Sequence, residues 1–283
     1  MPTERTALIT GASSGFGLLT SVTLAKRGWR VLATMRDLYR RDRLVFAADA
    51  AGVLDRIECL ALDVTNAGHV AAIAATLAER PETLDAIVNN AGFAMAGFGE
   101  DVSDAELRQQ FETNFFGAAA VTRALLPQLR RQGKGHILMV SSISGRMGFP
   151  GIGSYTASKF ALEGWAETLR LEMKPLGIQV VLVEPGSFET DIWTRNSILA
   201  AGTQDANCSN TARMATLMSR RESGKLKANP QIVADRIAAI LDNPRPRLRY
   251  VIGRDARLGL WLKRLLPSKM LEWLLIKGSG IEA

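Results

Sequence analysis

Cysteine, histidine and aromatic residues are all scarce in this chain of 283 residues. Its two cysteines, Cys59 and Cys208, are far apart in the sequence, which argues against a disulfide framework and indicates a reducing compartment. Its two histidines, His69 and His136, have no cysteine or histidine at metal-ligand spacing, so we expect no metal site. Aromatic residues make up only 6% of the chain, but hydrophobic residues make up 47%, which predicts a sizeable core and excludes general disorder.

The chain also lacks the apolar segments that secretion and membrane spanning require. Its first residues carry charges and lead directly into a strand-like segment, so no secretory signal is predicted. It contains no run of about 18 charge-free apolar residues, which argues against a spanning helix. Together with the cysteine usage, these absences lead us to expect a cytoplasmic protein.

Excess positive charge is missing from most of the chain, although the formal net charge is +7. Nine lysines and arginines but only two acids lie between Arg245 and Lys277, and the rest of the chain carries 26 bases and 26 acids. A nucleic-acid-binding domain would be expected to carry its basic patch on the folded body. We therefore predict no nucleic-acid partner.

The basic C-terminal segment 256–277, called the tail below, mixes its bases with two tryptophans and many leucines. This pattern predicts two short amphipathic helices, with a break at Pro267 and Ser268. Such a pair could cover the substrate cleft or a subunit interface, or it could make peripheral contact with a membrane surface. Because interfacial helices are a minority use of such patterns, the lid is the favoured interpretation.

Apolar runs alternate with longer helical patterns along the chain. Seven runs are predicted to be strands, at 5–10, 30–35, 56–62, 84–90, 135–141, 178–184 and 247–253. The first six are almost continuously apolar, which is typical of strands buried on both faces of a parallel sheet. Helices are predicted in the connections, at 15–27, 67–79, 104–131, 155–174 and 229–241.

Repeated βα units of this kind predict an α/β fold in one domain that spans residues 1–283. The expected architecture is a Rossmann-like, doubly wound parallel sheet of about seven strands with helices on both faces. Within it, residues 1–190 are expected to form the cofactor-binding and catalytic core, and residues 187–228 the region that covers the substrate.

A glycine-rich turn, TGASSGFG (10–17), lies between the first predicted strand and the first predicted helix. Glycines let a backbone approach a pyrophosphate closely, and a helix N-terminus offers it free N–H groups and a positive dipole. The spacing differs from the general G-x-G-x-x-G pattern, and tight strand-to-helix packing could also explain the glycines. The strand–turn–helix setting favours nucleotide binding.

A second motif, YTASK (155–159), stands near the start of a long predicted helix. Tyr155 and Lys159 are four residues apart and therefore project from one helical face. A tyrosine has a reference pKa of about 10, so poising it near 7 requires about 4 kcal/mol of phenolate stabilisation. A neighbouring ammonium is a natural source of that stabilisation. A surface tyrosine beside a solvated lysine would have the same spacing.

The positions of other polar motifs favour the catalytic interpretation. Ser142 directly follows the fifth predicted strand, NNAG (89–92) ends the fourth, and EPGSFET (184–190) follows the sixth. TNFFG (113–117) lies on the helix after the fourth strand. Open α/β sheets bind their ligands at the carboxyl ends of their strands. These motifs are therefore expected to meet at one site.

This combination of motifs resembles the short-chain dehydrogenase/reductase family over about the first 190 residues. YTASKFALEG followed by LRLEM, and ATMRDL after the second strand, are similar to the hydroxysteroid and retinol dehydrogenase branch. The resemblance implies an NAD(P)-dependent oxidoreductase that interconverts a carbonyl and an alcohol on a small, apolar, steroid- or retinoid-like substrate or another ketone. It also implies a homodimer or homotetramer.

The resemblance assigns catalytic roles to four residues. Tyr155 matches the family's general acid/base, and Lys159 matches the residue that lowers the tyrosine pKa and binds the nicotinamide ribose. Ser142 matches the group that hydrogen-bonds the substrate oxygen, and Asn114 matches a member of the proton relay through water. Phe93 and Phe149 are further candidates for substrate contact, although each could equally belong to the core.

The resemblance also assigns residues to the cofactor. They are Gly11, Ser13, Ser14 and Phe16 at the pyrophosphate, Asp63 and Val64 at the adenine, Asn90 beside the adenosine ribose, and Pro185, Gly186, Phe188 and Thr190 at the nicotinamide.

The end of the second strand bears on the choice between NADP(H) and NAD(H). NAD-dependent relatives place an acid there for the 2′-hydroxyl, whereas this chain has Met35 followed by Arg36. A guanidinium pairs well with a 2′-phosphate. Asp37 would repel that phosphate, and we expect its side chain to turn outward. NADP(H) is therefore the expected cofactor, with NAD(H) as the alternative.

A different class of function fits the same fold, namely a catalytically silent NADP-binding sensor or interaction protein. The intact set of Ser142, Tyr155 and Lys159 argues against it, because a silent protein has no chemical need for all three. An active oxidoreductase is therefore the favoured prediction.

Overall fold

The computed structural model describes residues 4–190, 192, 196–204, 210–223 and 228–281. The strands in these residues are β1 (Thr6–Ile9), β2 (Arg30–Met35), β3 (Ile57–Ala61), β4 (Ala86–Asn89), β5 (Ala94–Ala96), β6 (Gly135–Val140), β7 (Ile178–Pro185), β8 (Ser197–Leu199) and β9 (Arg249–Ile252). Seven of them form one sheet in the order β3-β2-β1-β4-β6-β7-β9, and every pairing in it is parallel. The predicted doubly wound parallel sheet is confirmed.

The helices begin and end as follows: α1 (Gly15–Lys26), α2 (Asp42–Ala50), α3 (Ala67–Glu79), α4 (Asp104–Phe111), α5 (Ala118–Gln132), α6 (Gly153–Met173), α7 (Thr211–Ser223), α8 (Gln231–Leu241), α9 (Arg254–Leu265) and α10 (Ser268–Ser279). They cover both faces of the sheet. Successive residues of a strand point to opposite faces, and β1 shows the result. Ile9 shares a core cluster with Leu24 of α1 and Ile237 of α8, whereas Leu8 shares another with Val121 of α5.

The segment predicted as one helix over 104–131 is interrupted. A π-helical turn, Glu112–Gly117, separates α4 from α5. Close packing explains why a glycine ends this turn, since a Cβ on Gly117 would lie 2.6 Å from Cγ2 of Val64. The extra residue of a π turn rotates the side chains around it, and such turns are frequent at functional sites. Asn114 lies in this turn and is buried.

Four further elements, namely α2, α7, β5 and β8, were not predicted from the sequence. The helix α2 follows an arginine-rich stretch with no clear helical periodicity, and β5 and β8 form a small parallel sheet of their own. Three-residue strands carry too little pattern to be recognised from the sequence alone.

The tail forms the two helices expected of it, with the break at Leu266 and Pro267 between α9 and α10. The two helices pack against each other, and α9 also packs against β9. No helix in the ranges given above is both long and apolar enough to cross a membrane. Cys208 lies outside the described residues, and Cys59 has a free thiol.

Candidate active site

A cavity of about 820 Å³ opens at the carboxyl edge of the large sheet. Its volume falls in the range of small-molecule and cofactor sites. The predicted site residues that line it are Gly11, Ser13, Ser14, Phe16, Arg36, Asp63, Val64, Asn90, Phe93, Ser142, Tyr155, Lys159, Pro185, Gly186, Phe188 and Thr190. These residues follow six different strands, so the parallel sheet brings together segments that are far apart in the sequence.

The glycine-rich turn after β1 is held in place by the neighbouring strand. Gly11 adopts a φ of +67°, and a Cβ on it would lie 2.8 Å from Cα of Ala91. The side-chain amide of Asn90 donates hydrogen bonds to the carbonyl oxygens of Thr10 and Gly11, at 2.9 and 3.0 Å. Asn90 therefore supports the turn, a role that the sequence did not suggest. The backbone of the turn is therefore fixed and has no side chain at Gly11, which lets a pyrophosphate bind close to it.

The first turn of α1 is open to an anion. Ser14 is its N-cap residue, but the Ser14 side chain makes no capping hydrogen bond to the helix. Its hydroxyl instead accepts a hydrogen bond from Nδ2 of Asn196, at 3.2 Å. The initial N–H groups of a helix have no intrahelical partner and carry the positive end of the helix dipole. The residues at this end therefore fit a phosphate group.

Tyr155 and Lys159 lie on the buried side of α6. Buried residues on this helix recur at three- and four-residue intervals, with Leu162, Ala166 and Leu169 continuing the stripe. Packing therefore fixes the direction of both side chains. The ammonium of Lys159 lies 5.7 Å from the centre of the Tyr155 ring.

Lys159 is an unusual buried cation. Its Nζ donates a hydrogen bond to the carbonyl oxygen of Val140, at 2.8 Å. No carboxylate forms a salt bridge with it within the described residues. Burial lowers the pKa of Lys159 from 10.5 to about 8, because the charged form loses its hydration. A further polar partner in the cavity, such as a ribose hydroxyl or a phenolate, would stabilise the charged form.

Ser142 lies at the end of β6, where the chain turns into a short 3-10 segment. Its Oγ accepts a hydrogen bond from the backbone N–H of Ser144, at 3.1 Å. A hydroxyl that accepts in this way still has its proton available to donate. Ser142 can therefore present a donor to an oxygen atom in the cavity.

Two predicted site residues are not part of the cavity lining. The side chain of Asn114 bonds to the backbone N–H and carbonyl of Phe93, each at 3.1 Å, and donates to Oγ of Ser158, also at 3.1 Å. Phe149 packs against the small cluster that contains Ile152 and Tyr155. Asn114 thus supports the loop that carries Phe93, and its role in a proton relay stays a prediction.

Several residues that line the cavity were not predicted from the sequence. The ones of most chemical interest are Arg40, Arg108, Ile192, Asn196 and Ile198. Arg40 stands in the run RDLYRR directly after the second strand, and its charge was the only available signal. The other four depend on how α4 and the β5–β8 sheet pack beside the cavity, which no local pattern reports.

A buried charge cluster next to the cavity was missed as well. Glu184, which directly precedes Pro185, is fully buried, and one of its oxygens accepts from Nη1 of Arg249 at 2.7 Å. Arg146 approaches the same carboxylate at 3.3 Å, and Arg249 also contacts the buried Glu163. Burial raises the pKa of Glu184 against the opposing effect of Arg146. The cluster ties β7, β9, α6 and the turn after Ser142 together.

Replacing Lys159 by methionine should stabilise the cofactor-free protein by roughly 2 kcal/mol at neutral pH, because the variant no longer buries an unpaired cation. The folded pKa of about 8 lies below the ordinary 10.5, so the wild type gains stability as pH rises through this window. The difference in the free energy of unfolding between the variant and the wild type should therefore shrink towards about pH 10. Urea unfolding at both pH values measures this, with the exposed Lys174→Met as control. If the variant were less stable than the wild type at neutral pH, this would contradict the view that the buried Lys159 ammonium destabilises the cofactor-free protein.

No group of three or more histidine, cysteine, aspartate or glutamate side chains in the described parts of the chain is arranged to hold a metal ion. The residues that line the cavity include Ser142, Tyr155, Lys159 and Arg36, which carry a hydroxyl, a phenol, an amine and a guanidinium group.

Comparison with known proteins identifies the family to which the chain belongs. A sequence profile for short chain dehydrogenases matches residues 5–198. An uncharacterized oxidoreductase of Bacillus subtilis, YusZ, is 41% identical over 277 residues, which are 97% of this chain and 98% of the relative. Human retinol dehydrogenase 8 is 36% identical over 253 residues, which are 87% of this chain and 80% of the relative.

Solved structures give the same result. A short-chain dehydrogenase from Streptomyces avermitilis superposes with a TM-score of 0.82 at 32% identity over 100% of both chains. A metagenomic short-chain oxidoreductase in complex with NADP has a TM-score of 0.69 at 25% identity over 88% of this chain and 97% of its own. A Burkholderia phymatum relative in complex with NAD has a TM-score of 0.77 at 26% identity over 96% and 95%. The chain belongs to the short-chain dehydrogenase family and is an NAD(P)-dependent oxidoreductase.

Proposed function

We propose that this protein uses NADP(H) to interconvert a carbonyl and an alcohol on a small apolar substrate, with Tyr155 as general acid/base. The observation that carries this proposal is the position of the buried pair Tyr155 and Lys159, which faces the same cavity as Ser142 and the glycine-rich turn. A silent binding protein would not need a buried, unpaired ammonium beside a phenol.

The lining of the cavity supports a dinucleotide as its ligand. The turn at Gly11 and the N-terminus of α1 suit the pyrophosphate, Asp63 and Val64 suit the adenine end, and the segment Pro185–Phe188 suits the nicotinamide. When bound, the nicotinamide would accept or deliver a hydride.

The residues of this chain would handle the proton that accompanies the hydride. In the reducing direction, Ser142 donates a hydrogen bond to the carbonyl oxygen of the substrate and Tyr155 transfers its phenol proton to that oxygen. The oxygen that Tyr155 protonates would become the hydroxyl of the alcohol. Lys159 then stabilises the phenolate through its positive charge, and the reverse order applies to oxidation.

The preference for NADP(H) is supported by the charges after β2. Arg36 and Arg40 both line the cavity. Asp37 lines it too, but its carboxylate accepts a hydrogen bond from the N–H of Tyr39 at 2.9 Å and lies 3.8 Å from Nε of Arg40. Arg40 thus offsets the charge of Asp37, and the guanidinium of Arg36 remains suited to a 2′-phosphate.

Arg36→Ala should weaken NADPH binding by about ten- to a hundredfold, because a charge-assisted hydrogen bond to the phosphate contributes roughly 1.5–3 kcal/mol. The affinity for NADH, which has no 2′-phosphate, should stay nearly unchanged. Calorimetric titration with both cofactors measures the two affinities. Arg41→Ala is the matched control, since Arg41 is exposed but does not line the cavity. Equal weakening of both cofactors would exclude a role for Arg36 at the phosphate.

An apolar substrate is supported by the side chains at the nicotinamide end. Phe93, Phe188, Ile192 and Ile198 line the cavity there, and the similarity to retinol dehydrogenase 8 points in the same direction. A panel of steroids, retinoids, acyl thioesters and small ketones, followed at the NADPH absorbance, tests the proposal. We expect turnover of at least one apolar ketone or its alcohol. Tight NADPH binding without turnover of any of them would instead favour the sensor.

A further inference from the structure

The tail presents an apolar surface that no part of the described chain covers. Seven of the 18 exposed large apolar side chains lie on α9 and α10, namely Leu258, Trp261, Leu265, Met270, Trp273, Leu274 and Ile276. Six of the twelve residues of α10 are large and apolar, yet none of its residues is buried. A helix of this composition normally buries its apolar stripe. We call these seven side chains the tail face.

The tail face is continuous along each helix. Leu258, Trp261 and Leu265 recur at three- and four-residue spacing on α9, and Met270 and Trp273 begin the same pattern on α10. Trp261 is 58% exposed and Trp273 is 57% exposed, although tryptophan is normally one of the more buried residues. Two exposed tryptophans on neighbouring helices indicate a surface that is covered by another phase or molecule.

The two tail helices carry positive charge that no salt bridge within the described residues neutralises. The bases on the two helices are Arg254, Arg257, Lys263, Arg264, Lys269 and Lys277, and none of them forms a salt bridge among the residues that the structure places. Asp255, one of only two acids on the helices, turns towards the body and accepts a hydrogen bond from the N–H of Ser187 at 2.7 Å. Lys277 extends along the face, with its ammonium 4.7 Å from the centre of the Trp273 ring.

Both helices are fixed to the body at their ends. Ala256 is buried at the start of α9, and Lys263 further along it donates a hydrogen bond to the carbonyl oxygen of Arg146. Arg220 of α7 donates to the carbonyl oxygen of Gly278 at 3.2 Å, and Ile281 packs against the cluster around Met214. The tail face is therefore held in a defined position.

The charge and position of the tail face discriminate between three possible contacts, namely the cavity, a second copy of the chain and a membrane surface. Within the described residues, no tail residue lines the cavity, so the cavity gives no support to the lid interpretation. A twofold contact with a second copy would bring two sets of uncompensated bases together, which is unfavourable. An anionic membrane surface complements the bases, and amphipathic helices with tryptophan and leucine on one side and lysine and arginine around them bind such surfaces.

We propose that α9 and α10 dock the protein onto the surface of an anionic bilayer, with the tail face in the headgroup region. The proposal concerns a surface outside the cavity and does not depend on the substrate or on the role of Tyr155. At the start of α9, Asp255 contacts Ser187, which lies between the cavity residues Gly186 and Phe188.

Co-sedimentation with lipid vesicles tests the proposal on the full-length, NADPH-loaded protein. We expect it to sediment with vesicles of phosphatidylcholine mixed with phosphatidylglycerol at low salt, and to stay in solution with phosphatidylcholine alone. Binding should weaken strongly at about 1 M NaCl, where the Debye length falls to about 3 Å. Failure to bind the anionic vesicles, or equal binding to both kinds, would overturn the proposal.

Charge variants test the electrostatic part. In R264E/K269E, the partition coefficient onto anionic vesicles should fall by roughly thirtyfold or more, since each base near the surface contributes about 1 kcal/mol. The matched control R123E/R236E changes two exposed arginines on α5 and α8 by the same total charge. The control should bind almost as well as the wild type. An equal loss in both variants would show a general charge effect and overturn the assignment to the tail face.

Substitutions of the exposed tryptophans test the insertion of the tail face into the headgroup region. W261S/W273S should lose most binding while its NADPH affinity stays unchanged, because both side chains are exposed and lie outside the cavity. The control F46S removes an aromatic side chain that is 77% exposed on α2 and should bind normally. Sedimentation velocity without lipid must show the same oligomeric state for W261S/W273S and the wild type. A smaller species would identify the tail face as a contact between subunits and refute the membrane proposal.

Discussion

Tyr155→Phe should lower turnover by about 10²- to 10⁴-fold, the range typical of general acid–base catalysis, while folding and NADPH binding stay nearly intact. Phenylalanine keeps the ring that packs with Ile152 and Ala94 in the cluster beside the cavity, and it removes only the hydroxyl. Steady-state kinetics with a substrate from the panel, together with calorimetric titration of NADPH, measure both effects.

A matched control is available for this variant. Tyr39 is 94% exposed, and its phenol lies on the surface near the end of β2. Tyr39→Phe removes the same hydroxyl from the chain and should leave turnover unchanged. If Tyr155→Phe kept more than about a tenth of wild-type turnover, another group would have to supply the proton.

Arg249→Met should lower the free energy of unfolding by roughly 3 kcal/mol, which is at the lower end of the range for a broken buried ion pair because Arg146 still faces Glu184. The substitution leaves Glu163 and Glu184 buried with less compensation. Urea unfolding of the cofactor-free protein measures the loss, with the exposed Arg236→Met on α8 as control.

The loss in Arg249→Met should depend on pH in a defined direction. Burial already raises the pKa of Glu184, and removal of a neighbouring cation should raise it further. The folded state then holds the proton more tightly than the unfolded chain, so stability falls as pH rises through this window. The variant should therefore lose more stability at about pH 8 than at about pH 5, and a loss that is independent of pH would contradict this account.

The shared helical face of Tyr155 and Lys159 and the parallel sheet could be predicted because both depend on local periodicity. Residues four apart share a helical face wherever the helix lies, so Tyr155 and Lys159 had to point the same way. Continuous apolar strands with helical connections have few stable arrangements other than a doubly wound sheet. The strand ends then had to converge, which brought Ser142 and Gly11 to one edge.

Other features depend on contacts between distant segments and had no local signal. The π turn that buries Asn114 is recognisable only from the packing of Gly117 against Val64. Arg249 and Glu184 are 65 positions apart, and only the pairing of β7 with β9 brings their charges together.

The sequence alone determined that the tail would form two amphipathic helices, because Pro267 and the spacing of its apolar residues specify them. It could not determine what the apolar side of those helices contacts, since a lid, a subunit interface and a membrane-surface helix share one pattern. The tertiary structure decided that this apolar side does not line the cavity. Because α9 and α10 are anchored at their ends, Trp261 and Trp273 lie outside the cavity and are exposed. Periodicity specifies that a face is apolar, whereas only the arrangement of the whole chain specifies which face is left uncovered.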